Sequence, residues 1–384
     1  MSAPQPKLCP LEPTGLSLRS TAHLLGIGGT IRHQVEDFEV EEVPLYLPSG
    51  EGTHLYLWIE KRDVSGPMLR RHIARSLGVD QRAVGMAGLK DRRAVTRQWV
   101  SVPAESAKRV KRIDDDRVHV LDQRLHRNKL RTGHLSANRF RIVVRDVVEL
   151  AKGRIQAKLS CLEELGMVNL YGPQRMGRGG STLAAGWALS QGMSRLVLLR
   201  MPDDCVHQLN LRDRNLRRLA ASALQSELFN RVLIHRLERG IHRTVLPGDV
   251  CKKTDTGGLF VTDDPQREQR RLDEGEVVVT GPMWGPKMKR PLDEALEIEL
   301  AMLAEMGLAE ADFGRLGNLA AGTRRPLVVP VSAPSVVQCE EGVTVEFGLP
   351  SGSYATVLVH ELVGPLDASD RVAKGRRENS SPAR

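Results

Sequence analysis

Polar and apolar positions alternate with a period of two in VEDFEVEEV (35–43) and again in THLYLWIEK (53–61), with Pro-Ser-Gly-Glu-Gly at 48–52 between the runs. A period of two sends successive side chains to opposite faces of a strand, so the pair predicts a β-hairpin. The pattern then changes to helical spacing in SGPMLRRHIARSLGV (65–79): Ser65 caps a helix, Pro67 is tolerated in its first turn, and Gly78 stops it. MAGLKDRRAVTRQWVSV (86–102) follows as strand, turn and strand. Residues 117–147 predict a basic hairpin that feeds a core strand, on which Phe140, Ile142 and Val144 alternate with polar residues.

Later stretches are helical, at 149–165, 215–239 and 291–306, each with i, i+3, i+4 apolar spacing. Strands are predicted again at 325–347 and in YATVLVHEL (354–362). Two β-rich ends around a helix-rich middle predict an α+β chain in which a helical domain is inserted into a sheet-based one. Residues 1–20 and 366–384, rich in Pro, Ser and charge, are expected to be flexible ends.

Composition narrows the function classes. A chain of 384 residues with 41% hydrophobic positions suits two domains of ordinary size, and 56 Lys plus Arg against 47 Asp plus Glu give a net charge of +9. That balance favours polyanionic partners, nucleic acid first. No apolar run approaches the ~18 residues of a membrane span, and the N-terminal residues do not read as a signal peptide, so a cytoplasmic protein is expected. Cys9, Cys161, Cys205, Cys251 and Cys339 are isolated, with neither a disulfide framework nor a C-x2-C zinc pattern. His119, His126 and His134 sit among arginines without ligand spacing, and GRGGST (177–182) lacks the lysine of a phosphate loop. No metal and no cofactor are expected. With no heptad pattern, a monomer is expected.

Candidate chemistry concentrates at Asp91, a lone acid beside Lys90, Arg92 and Arg93. Neighbouring cations favour its ionised form, leaving a carboxylate that could serve as nucleophile or base. The same residues also read as a polar turn opened by Gly88.

Four ordered motifs resolve that choice by resemblance. AGLKDRRAVTRQ (87–98), ANRF (137–140), NLYGPQRMG (169–177) and LPSGSYAT (349–356) resemble those of the TruD-type pseudouridine synthases, and EDF (36–38) with G-x-G-x-H at 50–54 adds a weaker match. The resemblance runs from about residue 25 to 362. It departs at Leu170 and Met176, where the family usually has aromatics, and at Tyr354, where some relatives carry Phe. It implies a mixed-sheet catalytic domain formed by 21–165 and 330–365, interrupted by the family's insertion domain at 166–329, and a reaction that converts a tRNA uridine, at position 13 of the D-arm, to pseudouridine without a cofactor.

By the same resemblance Asp91 is the catalytic carboxylate. Arg32 occupies the position of the family's basic partner, and Phe38, Asn138, Phe140 and Tyr354 match substrate-contacting positions. From periodicity alone Phe140 would be core. Lys90, Arg92, Arg124, Arg127, Lys129, Arg131 and Arg175, together with Arg214, Arg217 and Arg218, are candidates for RNA phosphates, although charged runs are commonly just solvated faces. The competing reading is an RNA chaperone on the same scaffold. Retention of Asp91 argues against it, because a pure binder gains nothing from a carboxylate set against phosphates.

Overall fold

The computed structural model describes residues 13, 14, 16, 18–193, 195–198, 207–210 and 213–364; the predicted flexible tail, most of the N-terminal stretch, Cys9 and Cys205 lie outside them. Among the described residues two compact units appear, one of 21–167 with 330–364, the other of those in 168–329 with those before 21.

The first unit is organised by a nine-stranded mixed sheet. Its strands are β1 (Thr30–Ile31), β2 (Phe38–Pro44), β3 (His54–Arg62), β4 (Gly85–Met86), β5 (Val95–Pro103), β6 (Val118–His126), β7 (Leu135–Arg145), β8 (Ser332–Cys339) and β9 (Gly342–Pro350). Spatial order is β8-β9-β7-β2-β5-β3-β6, with β1 on β7 and β4 on β5. Helix α1 (Gly66–Leu77) starts at the Ser65 cap and ends at Gly78 in the left-handed conformation, as its sequence predicts. It packs Leu69, Ile73 and Leu77 onto Leu57, Ile59, Val100 and Val102 of the sheet.

Three local predictions need correction. The run 35–61 forms two strands but no hairpin, because β5 enters between β2 and β3, parallel to the first and antiparallel to the second. The basic segment 117–147 is likewise no hairpin: β6 pairs with β3, and β7 with β2 and β9. YATVLVHEL is not a strand but the helix α3 (Ala355–Val363). Its apolar run fits either element, and burial of Val357, Leu358, Val359 and Leu362 favours the helix. Helix α2 (Ala151–Leu165) follows its predicted range closely.

One face of the sheet carries a lattice of cross-strand ion pairs. Arg97 lies 3.4 Å from Glu39 and 2.9 Å from Glu60, while Arg141 reaches Glu39 at 3.0 Å and Arg139 reaches Glu41 at 3.2 Å. Partly exposed pairs of this kind contribute at most about 1 kcal/mol each, but their order along the strands matches one register only.

The second unit joins a four-stranded antiparallel sheet (Leu259–Val261, Val250–Lys253, Val277–Met283, Thr323–Pro326) to helices Ser181–Ser190, Arg214–Glu238, Pro265–Asp273 and Asp293–Glu305. Buried ion pairs Arg236–Asp249 (2.5 Å) and Arg324–Glu299 (2.7 Å) lie inside it. Leu170 and Met176, the apolar replacements in the third motif, are both buried there. Among the described residues no helix is long and apolar enough to cross a membrane.

Candidate active site

The face of the sheet opposite the ion-pair lattice is apolar beneath α1 and turns polar at one end. Alternation along β2 sends Phe38, Val40 and Glu42 inward, and along β3 it sends Leu57, Ile59 and Lys61 inward. The register sets Lys61 opposite Thr96 and Glu42 opposite Asn138, with Val40 opposite both Thr96 and Phe140. Lys61, Thr96, Gln98 and Glu42 are all buried. They form a polar floor for the 88–93 turn that bears Asp91.

That turn is held by bonds on both sides of Asp91. Lys61 Nζ donates to the Asp91 carbonyl at 2.7 Å. Lys90 Nζ sits 3.0 Å from Glu42 Oε2 and donates to Asn138 Oδ1 at 2.5 Å. An ammonium can only donate, so the Asn138 oxygen must face it, and the amide NH2 points the other way. Arg92 Nε lies 3.5 Å from Asp63, and Arg93 donates to the His33 carbonyl at 3.3 Å.

Burial shapes the ionisation of this floor. It pulls Lys61 down to about 8; neighbouring Lys90 acts in the same direction, while Asp91 and Asp63 oppose it. Burial likewise raises Glu42 above the ordinary carboxyl range, with Lys90 opposing.

Arg32 faces the Asp91 side chain. Its Nη2 lies 3.3 Å from Asp91 Oδ1, and its guanidinium carbon stands 4.1 Å from the centre of the Phe38 ring. The guanidinium thus touches a ring face and a carboxylate at once. Arg32 adopts φ 61°, a left-handed conformation that costs a residue with a Cβ roughly 1–2 kcal/mol. The Asp91 side chain remains 35% exposed, which leaves the carboxylate reachable from solvent. Phe38 and Phe140 meet edge to face at 6.2 Å, and Phe140 stacks on Phe347 at 5.3 Å. Tyr354 stands half-buried at the start of α3, its carbonyl accepting from the Val357 N–H.

The predicted residues therefore divide. Arg32, Phe38, Asp91, Asn138 and Phe140 lie together on or above one face, although Phe38 and Phe140 are almost wholly buried, so much of each ring serves packing. Lys90, expected at RNA phosphates, is instead turned inward onto Glu42, because the neighbouring strand supplies a buried carboxylate. Arg92 and Arg131 are exposed; Arg124 pairs with Asp122 at 2.9 Å, Arg127 with Glu51, and Lys129 donates to the Arg82 carbonyl. Arg175, in the second unit, bonds Ser222 and Ser226, and Arg214, Arg217 and Arg218 are exposed on its long helix. Glu42 and Lys61 escaped the sequence reading as site residues. The signal was available: each occupies the inward phase of an alternating strand, where an apolar residue belongs.

Comparison with known proteins places these features in a family. The family model described as tRNA pseudouridine synthase D (TruD) matches residues 20–195 and 191–362. A protein of Anaeromyxobacter sp. (strain Fw109-5) named tRNA pseudouridine synthase D is 45% identical over 343 residues, covering 89% of this chain and 95% of its own. A protein of that name from Thermus thermophilus is 40% identical over 348 residues, covering 89% and 91%. The crystal structure of the Methanosarcina mazei protein assigned as tRNA pseudouridine synthase D superposes with a TM-score of 0.71 at 24% identity, covering 91% of this chain and 96% of that one, a likeness of fold.

Proposed function

The chain belongs to the tRNA pseudouridine synthase D (TruD) family, and from that premise we propose that it isomerises a uridine of tRNA, uridine 13 in the D-arm, to pseudouridine, with Asp91 as the catalytic carboxylate. The observation that carries this reading is the Asp91 side chain, reachable from solvent, 3.3 Å from the Arg32 guanidinium above Phe38. Arg32 orients the carboxylate.

The reaction breaks the C1′–N1 bond, turns the uracil within the site and forms C1′–C5; N1 takes up a proton and C5 releases one. Atoms balance within the substrate and water, so no co-reactant is consumed. Asp91 acts at the sugar, as a nucleophile on C1′ whose ester bond is broken again in the second half; a route that removes a sugar proton starts from the same carboxylate. The uridine must leave its stack, and the rings of Phe38, Phe140 and Tyr354 with the Asn138 amide are its contacts in this reading. Stacking of this kind contributes roughly 1–3 kcal/mol per base.

We assign the chemistry to the unit of 21–167 and 330 onward, and treat the 168–329 unit as the family's insertion, with Arg175, Arg214, Arg217 and Arg218 as phosphate contacts. The working form is a cytoplasmic monomer.

Tritium release from tRNA transcripts carrying 5-tritiated uridine tests the proposal, with wild type and Asp91→Asn side by side and the modified position mapped. Release by the wild type alone, at position 13, is expected, with tRNA affinity kept in the variant. Equal release by both proteins would exclude Asp91 as the essential acid, and release from another position would reject the D-arm target.

A further inference from the structure

Helix α1 and the turn leading to Asp91 line an open pocket of about 370 Å³, separate from the side chains of Arg32, Phe38, Asp91, Asn138 and Phe140. Its size lies in the range of small-molecule sites, about 300–1,000 Å³. Pro67, Met86 and Leu89 make an apolar wall, Arg70 and Arg71 bring two cations, Thr132 brings a hydroxyl, and no acid is present.

Several arginines of this unit are engaged by acids, and others such as Arg75 and Arg131 stand exposed. Arg32, Arg62, Arg92, Arg97, Arg139, Arg141 and Arg145 all have carboxylate partners. Among the described residues Arg70 and Arg71 have none, and the buried Nε of Arg70 has no hydrogen-bond acceptor. An unmet buried donor costs on the order of 1–3 kcal/mol, and two cations without a lining acid give the pocket a positive character suited to an anion. Leu89 is 70% exposed, an unusual setting for a large apolar side chain in a turn of Lys and Arg. It stands two residues from Asp91, within about 7 Å along the backbone.

Apolar side chains able to take a planar ring, in one pocket with two guanidinium groups that have no carboxylate partner among the described residues, offer the chemistry that a nucleotide needs. We propose that the cavity is a nucleotide subsite that takes the RNA residue next to the target uridine: its base packs on Leu89, Met86 and Pro67, and its phosphodiester is held by Arg70 and Arg71. The inference rests on the reading of Asp91 as the reacting group, since that reading places a polynucleotide beside the turn.

The test uses full-length protein and a stem-loop RNA containing the target uridine, with or without an abasic residue on either side of it. Arg70→Gln/Arg71→Gln should raise KM roughly tenfold with kcat little changed, and should lower the salt slope of binding by about one to two. Arg75→Gln, on the same helix but outside the cavity, should do neither. On one side of the uridine the abasic residue should cost wild type severalfold in kcat/KM and cost Leu89→Ala little, the signature of a shared contact. Equal losses from Arg75→Gln and the cavity pair, or the same abasic penalty in wild type and Leu89→Ala, would overturn the subsite. So would free uridine monophosphate binding as tightly as the RNA, which would mark a mononucleotide site. Equilibrium binding by Asp91→Asn keeps the two proposals apart: turnover by that variant refutes the role of Asp91, whereas an unchanged salt slope on adding the cavity substitutions refutes the subsite.

Discussion

A lysine without exposed surface, Lys61, holds the backbone of Asp91, the proposed catalytic residue. Its folded value of about 8 lies below the ordinary 10.5, so between those limits the unfolded chain keeps a proton that the fold has released. Stability therefore rises with pH across that window, and the cost of the buried ammonium is present in full below it. Lys61→Met should flatten the rise, as read from urea midpoints below and above pH 8. It should also lower kcat by roughly 10- to 100-fold with tRNA affinity kept, because the Asp91 carbonyl loses its anchor and small displacements at a reacting group are costly. A variant with unchanged kcat would reduce Lys61 to a packing residue. The sequence held this information in the phase of one alternation: Leu55, Leu57 and Ile59 point inward, and Lys61 follows in step. The pairing of Arg32 with Asp91 is not legible in that way, since 59 residues separate them and only the fold, with Arg32 left-handed, brings them to 3.3 Å.

Between elements, the decisive contact is the one that ties the turn bearing Asp91 to the sheet. Lys90 of the turn and Glu42 of β2 are both almost fully buried and meet at 3.0 Å, and through this pair Asn138 of β7 is fixed in orientation. Glu42→Gln leaves the Lys90 charge buried without a counter-charge and should destabilise the protein by about 3–5 kcal/mol. Glu42→Gln/Lys90→Met should recover much of that loss, giving a clear coupling in a double-mutant cycle by urea unfolding. Additive losses would mean that the pair is not a unit. Helix α1 was readable because its cap, spacing and stop are all local. Strand pairing was not: runs 35–43 and 53–61 look like the two arms of a hairpin, yet β5, more than thirty residues downstream of β3's start, fills the space between them. The misread α3 has the same cause, an apolar run whose period does not distinguish strand from helix until its packing partners are known.

For the whole molecule, a net charge of +9 makes affinity for a polyanion salt-dependent. Binding of tRNA should weaken steeply between low and physiological salt, on a linear log–log plot, with the same slope for wild type and Asp91→Asn. Arg127→Gln and Arg131→Gln should each reduce that slope by about one if the 117–134 segment meets phosphates; an unchanged slope in both would remove this segment from the interface. What the sequence determined by itself is what depends on neighbours along the chain: the family motifs and their order, the basic balance, the capped helix, and the inward phase of each strand. Only the tertiary structure decided which strand lies beside which, that Lys90 turns inward while Leu89 turns outward, that Arg70 and Arg71 have no carboxylate partner among the described residues, and that Lys61, Glu42 and Asn138 share one face. The physical reason is that these are consequences of long-range pairing. A strand announces its two faces locally, but what each face meets depends on residues tens to hundreds of positions away.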